Sequence, residues 1–344
     1  MFRSELRLSI GLTLRMLPKD GQDGREDIIK PDGDLRLEDV PAQTNTDGKS
    51  KIQMLISTIP SDSKKELVYV EYKSYELSGR RGVDKQIIKR ASNLGNLLRY
   101  LDAWDAGFHT LCLKYVIQQK DSARFAFVFQ LPNGKSQLIT LLESFEATGF
   151  LRPTLGERFR IARELSQTLF QFHAVGWRHK SIRSENVLLV KSDESHIAYS
   201  PQYVVGFEFS RAENNRSTTE QDDVLERNIY RHPDRQGPPE ERFHVRHDIY
   251  TLGVMLLEID LWRLALKFGN FSNMNADKIK ECLEEHARYR LPHYMGGAYT
   301  DVVLACLKGA LGNYDQNNLS ESGPSREAIL PKEIQFRCGT GAPQ

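Results

Sequence analysis

The side chains best suited to chemistry lie together in one polar stretch, residues 179–186. Ser181 is a hydroxyl nucleophile, and His179 or Lys180 could activate it. The stretch follows a helical apolar pattern and precedes the strand-like run 187–190, so we expect a polar loop held between two buried elements. One interpretation is therefore a hydrolase that uses Ser181. The chain has no G-x-S-x-G elbow to support it.

A second interpretation takes the loop as a whole. It resembles the catalytic loop of protein kinases, H-R-D-L-x-x-x-N, which an apolar strand follows. On this resemblance His179 matches the motif His, Lys180 the Arg, Ile182 the Leu and Asn186 the metal-binding Asn. Ser181 stands where a kinase has its catalytic Asp. A hydroxyl is neutral near pH 7 and accepts protons poorly, so Ser181 cannot replace that carboxylate as a base.

A lysine upstream extends the resemblance. The alternating residues 67–73 predict a strand that ends in Lys73, and the resemblance assigns Lys73 to the kinase lysine that contacts the ATP phosphates. The helix expected over residues 84–100 contains no Glu to pair with it, and no G-x-G-x-x-G segment precedes it. The resemblance places the hinge that faces adenine at Gln130 and Leu131.

The metal position is also altered. Gly206-Phe207-Glu208 occurs where a kinase has D-F-G, whose Asp holds magnesium. Phe207 keeps the aromatic residue, but Gly206 has no carboxylate, which leaves Asn186 and a displaced Glu208 as the available ligands. The resemblance therefore implies weak ATP binding at most and a degenerate site for Mg²⁺ or Mn²⁺.

Three further motifs complete the kinase pattern. The polar segment 210–227 resembles an activation loop, and its Ser217, Thr218 and Thr219 are candidate phosphorylation sites. Lys180 and Arg183 could receive such a phosphate. Pro233-Asp234 resembles the A-P-E closure. Asp248 opens an apolar segment that resembles the kinase central helix, so Phe207, Pro233, Asp234 and Asp248 have implied structural roles.

The composition limits the classes of partner. The net charge of +1 over 344 residues gives no electrostatic reason to expect nucleic acid or an anionic membrane. No apolar run approaches the roughly 18 residues of a membrane helix. The four cysteines (Cys112, Cys282, Cys306 and Cys338) lack metal-ligand spacing, which favours free thiols in a reducing compartment. We therefore expect a cytoplasmic protein with protein partners.

The N-terminal residues allow one other location. Arg3, Arg7 and Arg15 surround the apolar residues of segment 8–14. We interpret this segment as the tail of an upstream helix, with a mitochondrial presequence as the alternative.

The predicted fold is α+β, a bilobal protein-kinase-like fold. Residues 51–132 would form the small β-rich lobe and residues 133–312 the larger helical lobe. Residues 19–50 are rich in Asp, Gly, Pro, Thr and Asn, and we expect segment 1–50 to be a mostly disordered linker, with order beginning near residue 52. Residues 313–344 would be a disordered tail. The clearest local predictions are strands over 108–113 and 124–130 and helices over 154–172, 248–258, 276–287 and 299–311.

The residues that hold a kinase together are kept, whereas those that transfer phosphate are altered. The predicted function is a pseudokinase that acts as a signalling or interaction module. The alternatives are an atypical ATP-dependent kinase, which would recruit Glu208 or Glu185 for metal, and the Ser181 hydrolase. The loop sequence W-x-H-K-S-I-R-S-E-N resembles that of a family of fungal kinase-like proteins. Its members often follow a HeLo-type domain associated with incompatibility and regulated cell death, and segment 1–50 is too short for one.

Overall fold

The computed structural model shows a mixed α+β protein. Packing divides the chain into two compact units, residues 1–216 and 217–344, which are described separately. The structure describes residues 28–31, 36–39, 54–58, 65–75, 83–100, 108–132, 137–147, 152–191, 196–212, 224–237 and 242–309.

A six-stranded sheet forms the centre of the first unit. Its strands lie in the order β1-β5-β6-β4-β3-β2, with β1 parallel to β5 and the other pairs antiparallel. Alternation of β-branched and aromatic residues in β4 and β6 suits a sheet with two buried faces. The strands are β1 (Ile29–Pro31), β2 (Arg36–Asp39), β3 (Met54–Thr58), β4 (Lys65–Ser74), β5 (Leu113–Gln119) and β6 (Arg124–Gln130).

Helix α1 (Lys85–Tyr100) packs on β5 of this sheet. Its apolar residues recur at helical spacing, and Leu94, Leu97 and Leu98 are buried. The Asp84 carboxylate accepts the Gln86 N–H at 2.9 Å and so caps the first turn. The helix predicted from Asp84 is confirmed.

The remainder of the first unit positions the polar loop. Thr154 and Glu157 form the predicted capping box of α3, with N–H···O distances of 3.3 and 2.7 Å. Strand β8 follows α3 and pairs with β11, while β7, β9 and β10 form a small sheet. The elements are β7 (Leu138–Thr140), α2 (Leu141–Glu146), α3 (Leu155–Ala174), β8 (Trp177–Arg178), β9 (Val187–Lys191), β10 (Ile197–Val204) and β11 (Arg211–Ala212).

One apolar core joins the segments before and after the predicted lobe boundary at residues 132/133. Its buried residues come from α1, the large sheet, α3, β9 and the 206–208 segment, and include Leu94, Phe129, Phe172, Leu188 and Phe207. The compact units accordingly divide after Arg216, and the predicted boundary does not coincide with that division.

The described part of the second unit is mainly helical. It contains α4 (Leu225–Asn228), α5 (Val245–Leu261), α6 (Ala276–Tyr294) and α7 (Gly297–Lys308). Helix α5 is buried on almost all sides, as its apolar sequence predicts. A Cβ on Gly253 would lie 2.8 Å from the Cys306 Cβ, so this glycine allows α5 and α7 to approach closely. The buried Glu258 accepts the Tyr230 hydroxyl at 2.7 Å.

Two local predictions are wrong. Segment 108–113 is not a strand, because β5 begins at Leu113. Phe108 and Leu111 are buried in the core, and this tertiary burial rather than strand pairing explains their apolar character. Regular structure does not begin near residue 52, since β1 and β2 precede that residue and pair at the two edges of the sheet. The predicted tail 313–344 lies outside the described residues.

Among the described helices, none combines the length and the apolar composition that a membrane span needs.

Candidate functional site

Strand β4 directs three polar side chains towards the Gly206-Phe207-Glu208 segment. Tyr69, Glu71 and Lys73 occur at every second position, and alternate residues of a strand share one face of the sheet. Phe207 begins a 3-10 turn that ends at Phe209. Both segments belong to the first unit.

Glu71 binds the N-terminal end of this turn. Its two carboxylate oxygens accept the N–H groups of Gly206 at 2.6 Å and Phe207 at 2.9 Å, and Oε1 also accepts the Tyr69 hydroxyl at 3.2 Å. Burial raises the pKa of the Glu71 carboxyl, although the two backbone N–H groups favour its charged form. An anion at the free N–H groups of a helical turn is electrostatically favourable.

Lys73 binds the other end of the segment. Its ammonium donates to the Phe207 carbonyl at 3.4 Å and to the Glu208 carbonyl. The Glu71 carboxylate thus accepts from backbone N–H groups of the segment, and the Lys73 ammonium donates to its backbone C=O groups. We call this arrangement of Glu71 and Lys73 around residues 206–208 the strand clamp.

The Phe207 side chain anchors the 206–208 segment in the apolar core. It is buried, and its centroid lies 4.9 Å from that of His179, 5.7 Å from Phe172 and 6.4 Å from Phe129. His179 has no exposed surface, and its Nδ1 accepts the Ser181 N–H at 3.3 Å. His179 therefore packs the loop against the core.

Ser181 and Asn186 are bonded to each other. The Asn186 amide donates to the Ser181 carbonyl at 2.8 Å and to the Ser181 hydroxyl at 3.0 Å. The Ser181 hydroxyl accepts from this amide, and the described contacts of His179 Nδ1 involve the Ser181 backbone rather than the hydroxyl. This geometry does not activate Ser181 as a nucleophile.

Asn186 also occupies the space next to Gly206. A Cβ built on Gly206 would lie 2.8 Å from Asn186 Oδ1 and closer still to Nδ2 and Cγ. Gly206 has φ +86°, a left-handed conformation that side chains other than glycine rarely adopt. An Asp at this position would be strained in the observed backbone, and its Cβ would overlap the observed Asn186 rotamer.

The other predicted ligands have internal partners. Arg183 forms an ion pair with Glu185 at 2.6 Å and lies 3.9 Å from Glu208, whose side chain is 44% exposed. The Gln130 N–H donates to the Cys112 carbonyl at 2.9 Å within the sheet, and Leu131 is buried in the core. Lys180 has φ +68°. The predicted hinge residues are therefore held by a backbone hydrogen bond and by the core, and the predicted metal ligands Glu185 and Glu208 lie beside the Arg183 guanidinium.

One family model covers most of the chain. The model of a family described as "Domain of unknown function (DUF7580)" matches residues 35–334. The chain belongs to the DUF7580 family. No curated protein matches this chain. The matched region includes β2 and the described residues of both units that follow it, whereas β1 precedes it.

Asp234, one of the structural residues predicted in the second unit of this DUF7580 chain, lies in a polar cluster. Asp234, next to Pro233, pairs with Arg246 at 2.7 Å and lies 3.2 Å from His232 Nδ1 and 3.9 Å from His247 Nε2. Asp248 is buried in α5. These contacts connect the segment around Pro233 to the first turn of α5.

The same cluster has the residue types of a metal site but not the required geometry. Potential ligand atoms of His232, Asp234 and His247 lie within 4.8 Å of one another. However, His247 Nδ1 accepts the His244 N–H at 3.0 Å, whereas a metal-bound imidazole normally donates from its second nitrogen. The Arg246 guanidinium already occupies the cation position beside Asp234. Burial and the neighbouring cations also lower the pKa of His247 to about 2.

Two residues of the DUF7580 site were missed from sequence. Glu71 and Tyr69 precede Lys73 at two-residue spacing, so the period of the strand already placed all three on one face. Their partner, the backbone of residues 206 and 207, could not be identified from local sequence. The candidate phosphorylation residues Ser217, Thr218 and Thr219 lie outside the described residues.

Proposed function

We propose that this DUF7580 chain is a pseudokinase, a bilobal protein-kinase-like signalling or interaction module that does not transfer phosphate. The order of elements supports the fold. Strands β2, β3 and β4 pair in sequence, and the third carries Lys73. Helix α1, two further strands and α3 then lead to the loop with His179 and Asn186. This is the order in which the kinase motifs occur.

The strand clamp is the main observation that supports a loss of kinase activity. In an active kinase the matching lysine pairs with a helix glutamate and contacts the ATP phosphates. Here Lys73 donates to backbone carbonyls of residues 207 and 208, and the carboxylate next to it comes from Glu71 on the same strand. Binding a phosphate through Lys73 would therefore require the clamp to open first.

Chemistry at the loop supports the same conclusion. Ser181 provides no base, and the loss of a general base typically reduces a rate by roughly 10²–10⁴-fold. The space of a metal-binding carboxylate at position 206 is filled by the Asn186 amide. Glu208, the alternative metal ligand, lies beside Arg183. The function of the module is then to bind protein partners. Three free cysteines in the described residues agree with a reducing, cytoplasmic location.

The test is thermal unfolding of the purified chain with ATP, first without metal and then with Mg²⁺ or Mn²⁺. A ligand that binds only the native state adds about 2.7 kcal/mol at 100 times its Kd. We expect no shift under any of these conditions. A metal-dependent rise that disappears in Lys73→Ala would contradict the proposal and favour the atypical kinase.

Lys65→Ala provides the matched control. Lys65 lies on the same strand with 65% of its side chain exposed, 3.7 Å from Glu38. This substitution removes one lysine from β4 without touching the clamp. A nucleotide shift that both alanine variants abolish would indicate non-specific attraction of ATP to the strand rather than binding through Lys73.

A further inference from the structure

His247 lies at the start of helix α5, with 1% of its surface exposed. Its Nδ1 accepts the His244 N–H at 3.0 Å, and its Nε2 lies 3.4 Å from Arg246 Nε, a second N–H donor. A neutral imidazole has one acceptor nitrogen, whereas an imidazolium has none. The ring can therefore hold the His244 N–H only while it is neutral.

Cationic groups surround this ring. The ring centroids of His232 and His244 lie 5.3 Å and 5.7 Å from that of His247. Arg246 is in contact with the ring, and Arg235 also acts on it electrostatically. A positive charge on His247 would be repelled by each of these groups that is itself charged.

Three carboxylates lie near the same groups. Asp234 Oδ2 lies 3.9 Å from His247 Nε2, but it is already paired with a guanidinium at 2.7 Å. Asp248 is the next residue of α5, and Glu284 of α6 acts on Tyr250, further along that helix. Burial, followed by the cationic groups, nevertheless lowers the pKa of His247 to about 2.

His232 differs from His247 in its response to a proton. Its Nδ1 accepts the Asp234 N–H at 3.3 Å and lies 3.2 Å from the Asp234 carboxylate. A proton on His232 therefore finds an acceptor in the carboxylate, whereas a proton on His247 Nδ1 would face the His244 N–H. Of the two rings, His247 is the one whose contacts acid disrupts.

The neutral His247 ring connects two elements of the second unit. It bonds the backbone that enters α5 and packs against His232, which precedes the 3-10 turn Pro233–Arg235. Separately, the Thr251 hydroxyl donates to the Tyr230 carbonyl at 2.8 Å and attaches the preceding residues to α5 without an imidazole. Loss of the His247 contacts would therefore open the turn locally, with Tyr230 still in place.

We propose that His247 is a proton-sensitive latch. While neutral, it holds the 3-10 turn 233–235 against the first turn of α5, and once protonated it releases them. The second unit then has a closed state near neutral pH and a locally open state in mild acid. The latch involves contacts of the second unit alone, so it does not depend on the proposed pseudokinase function.

The direction of the pH effect follows from the two states. In the open state His247 is solvated, and its pKa returns to about 6.5. The open state therefore binds a proton that the closed state excludes, so the closed state is favoured above about pH 6.5 and loses stability as the pH falls. The opening equilibrium should increase by up to about tenfold for each pH unit below that value.

Hydrogen exchange of the full chain, with EDTA present so that no metal contributes, tests the latch. Between about pH 7.5 and about pH 5.5, after correction for intrinsic exchange, peptides that cover residues 232–247 should lose about tenfold in protection. Peptides of α7 (Gly297–Lys308) should keep theirs. Unchanged protection of residues 232–247, or an equal loss in α7, would overturn the proposal, and both outcomes are read on the wild-type chain.

His247→Asn is the decisive variant, because its Oδ1 can accept the His244 N–H near the place of Nδ1 and does not titrate. It should keep the protection of residues 232–247 at about pH 5.5. His293→Asn is the matched control, since His293 is exposed in the last turn of α6, and it should show the wild-type loss. If His247→Asn folds and still loses protection in acid, another group is responsible and His247 is not the latch.

Discussion

Gly206 provides the sharpest test of the site geometry. Replacing it with Ala adds one methyl group at a position where the Asn186 amide already lies, 2.8 Å away at Oδ1. The residue must also keep φ +86° for its N–H to reach Glu71. Gly206→Ala should therefore destabilise the protein through two separable effects, backbone strain and steric overlap.

The two effects can be estimated separately. A non-glycine residue in the left-handed region costs roughly 1–2 kcal/mol. Inserting a methyl group into an occupied space costs typically about 1–3 kcal/mol more. Alanine also restricts the unfolded chain, which offsets about 0.4–1 kcal/mol of this loss. The net loss for Gly206→Ala should be about 2–4 kcal/mol.

Gly176 is the matched control, since it lies in the same unit with φ +72° and a Cβ there would meet nothing within 4 Å. Gly176→Ala retains the strain but not the overlap, so it should lose at most about 1 to 2 kcal/mol. Urea unfolding, with the slope compared between variants, measures both losses. Asn186→Ala should reduce the cost of Gly206→Ala towards that of Gly176→Ala.

Equal losses for Gly206→Ala and Gly176→Ala would refute the close approach of Asn186 to Gly206. The same reasoning predicts that Gly206→Asp, which introduces the Asp of the kinase D-F-G motif, destabilises the protein and does not create a magnesium site. A Mg²⁺-dependent rise in its melting temperature would contradict that expectation.

Three further outcomes follow from individual contacts. Burial raises the pKa of Glu71 above its usual 4.5, so the folded state keeps that proton to higher pH and the contribution of Glu71 to stability falls as pH rises above that value. Glu71→Gln should abolish this pH-dependent fall in urea unfolding, and an unchanged pH profile would argue against a buried carboxylate. Tyr230→Phe should cost about 1.5–3 kcal/mol through its lost bond to Glu258, whereas Tyr289→Phe, at a residue 76% exposed, should change stability by less than about 0.5 kcal/mol. Gly253→Ala should destabilise by about 1–3 kcal/mol through overlap with α7, and a more stable variant would show that helix propensity outweighs packing there.

Local sequence predicted the elements whose signals lie within a few residues. The capping box of Thr154 and Glu157, helix α1, strand β6 and the buried helix α5 all follow from neighbouring residues. The reason is physical, because a cap or a hydrophobic period depends on the spacing of residues along one element. The strand prediction over residues 108–113 was wrong because burial in a core and strand pairing favour the same apolar residues.

The sequence by itself determined which chemical groups the candidate site contains: the Ser181 hydroxyl, a glycine at position 206 and Lys73 on a strand. Only the tertiary structure decided what those groups contact. The bond between Glu71 and Gly206 joins residues 135 positions apart. It depends on the register of β4 and on the burial of Phe207, and both are set by the packing of the whole first unit rather than by any local pattern.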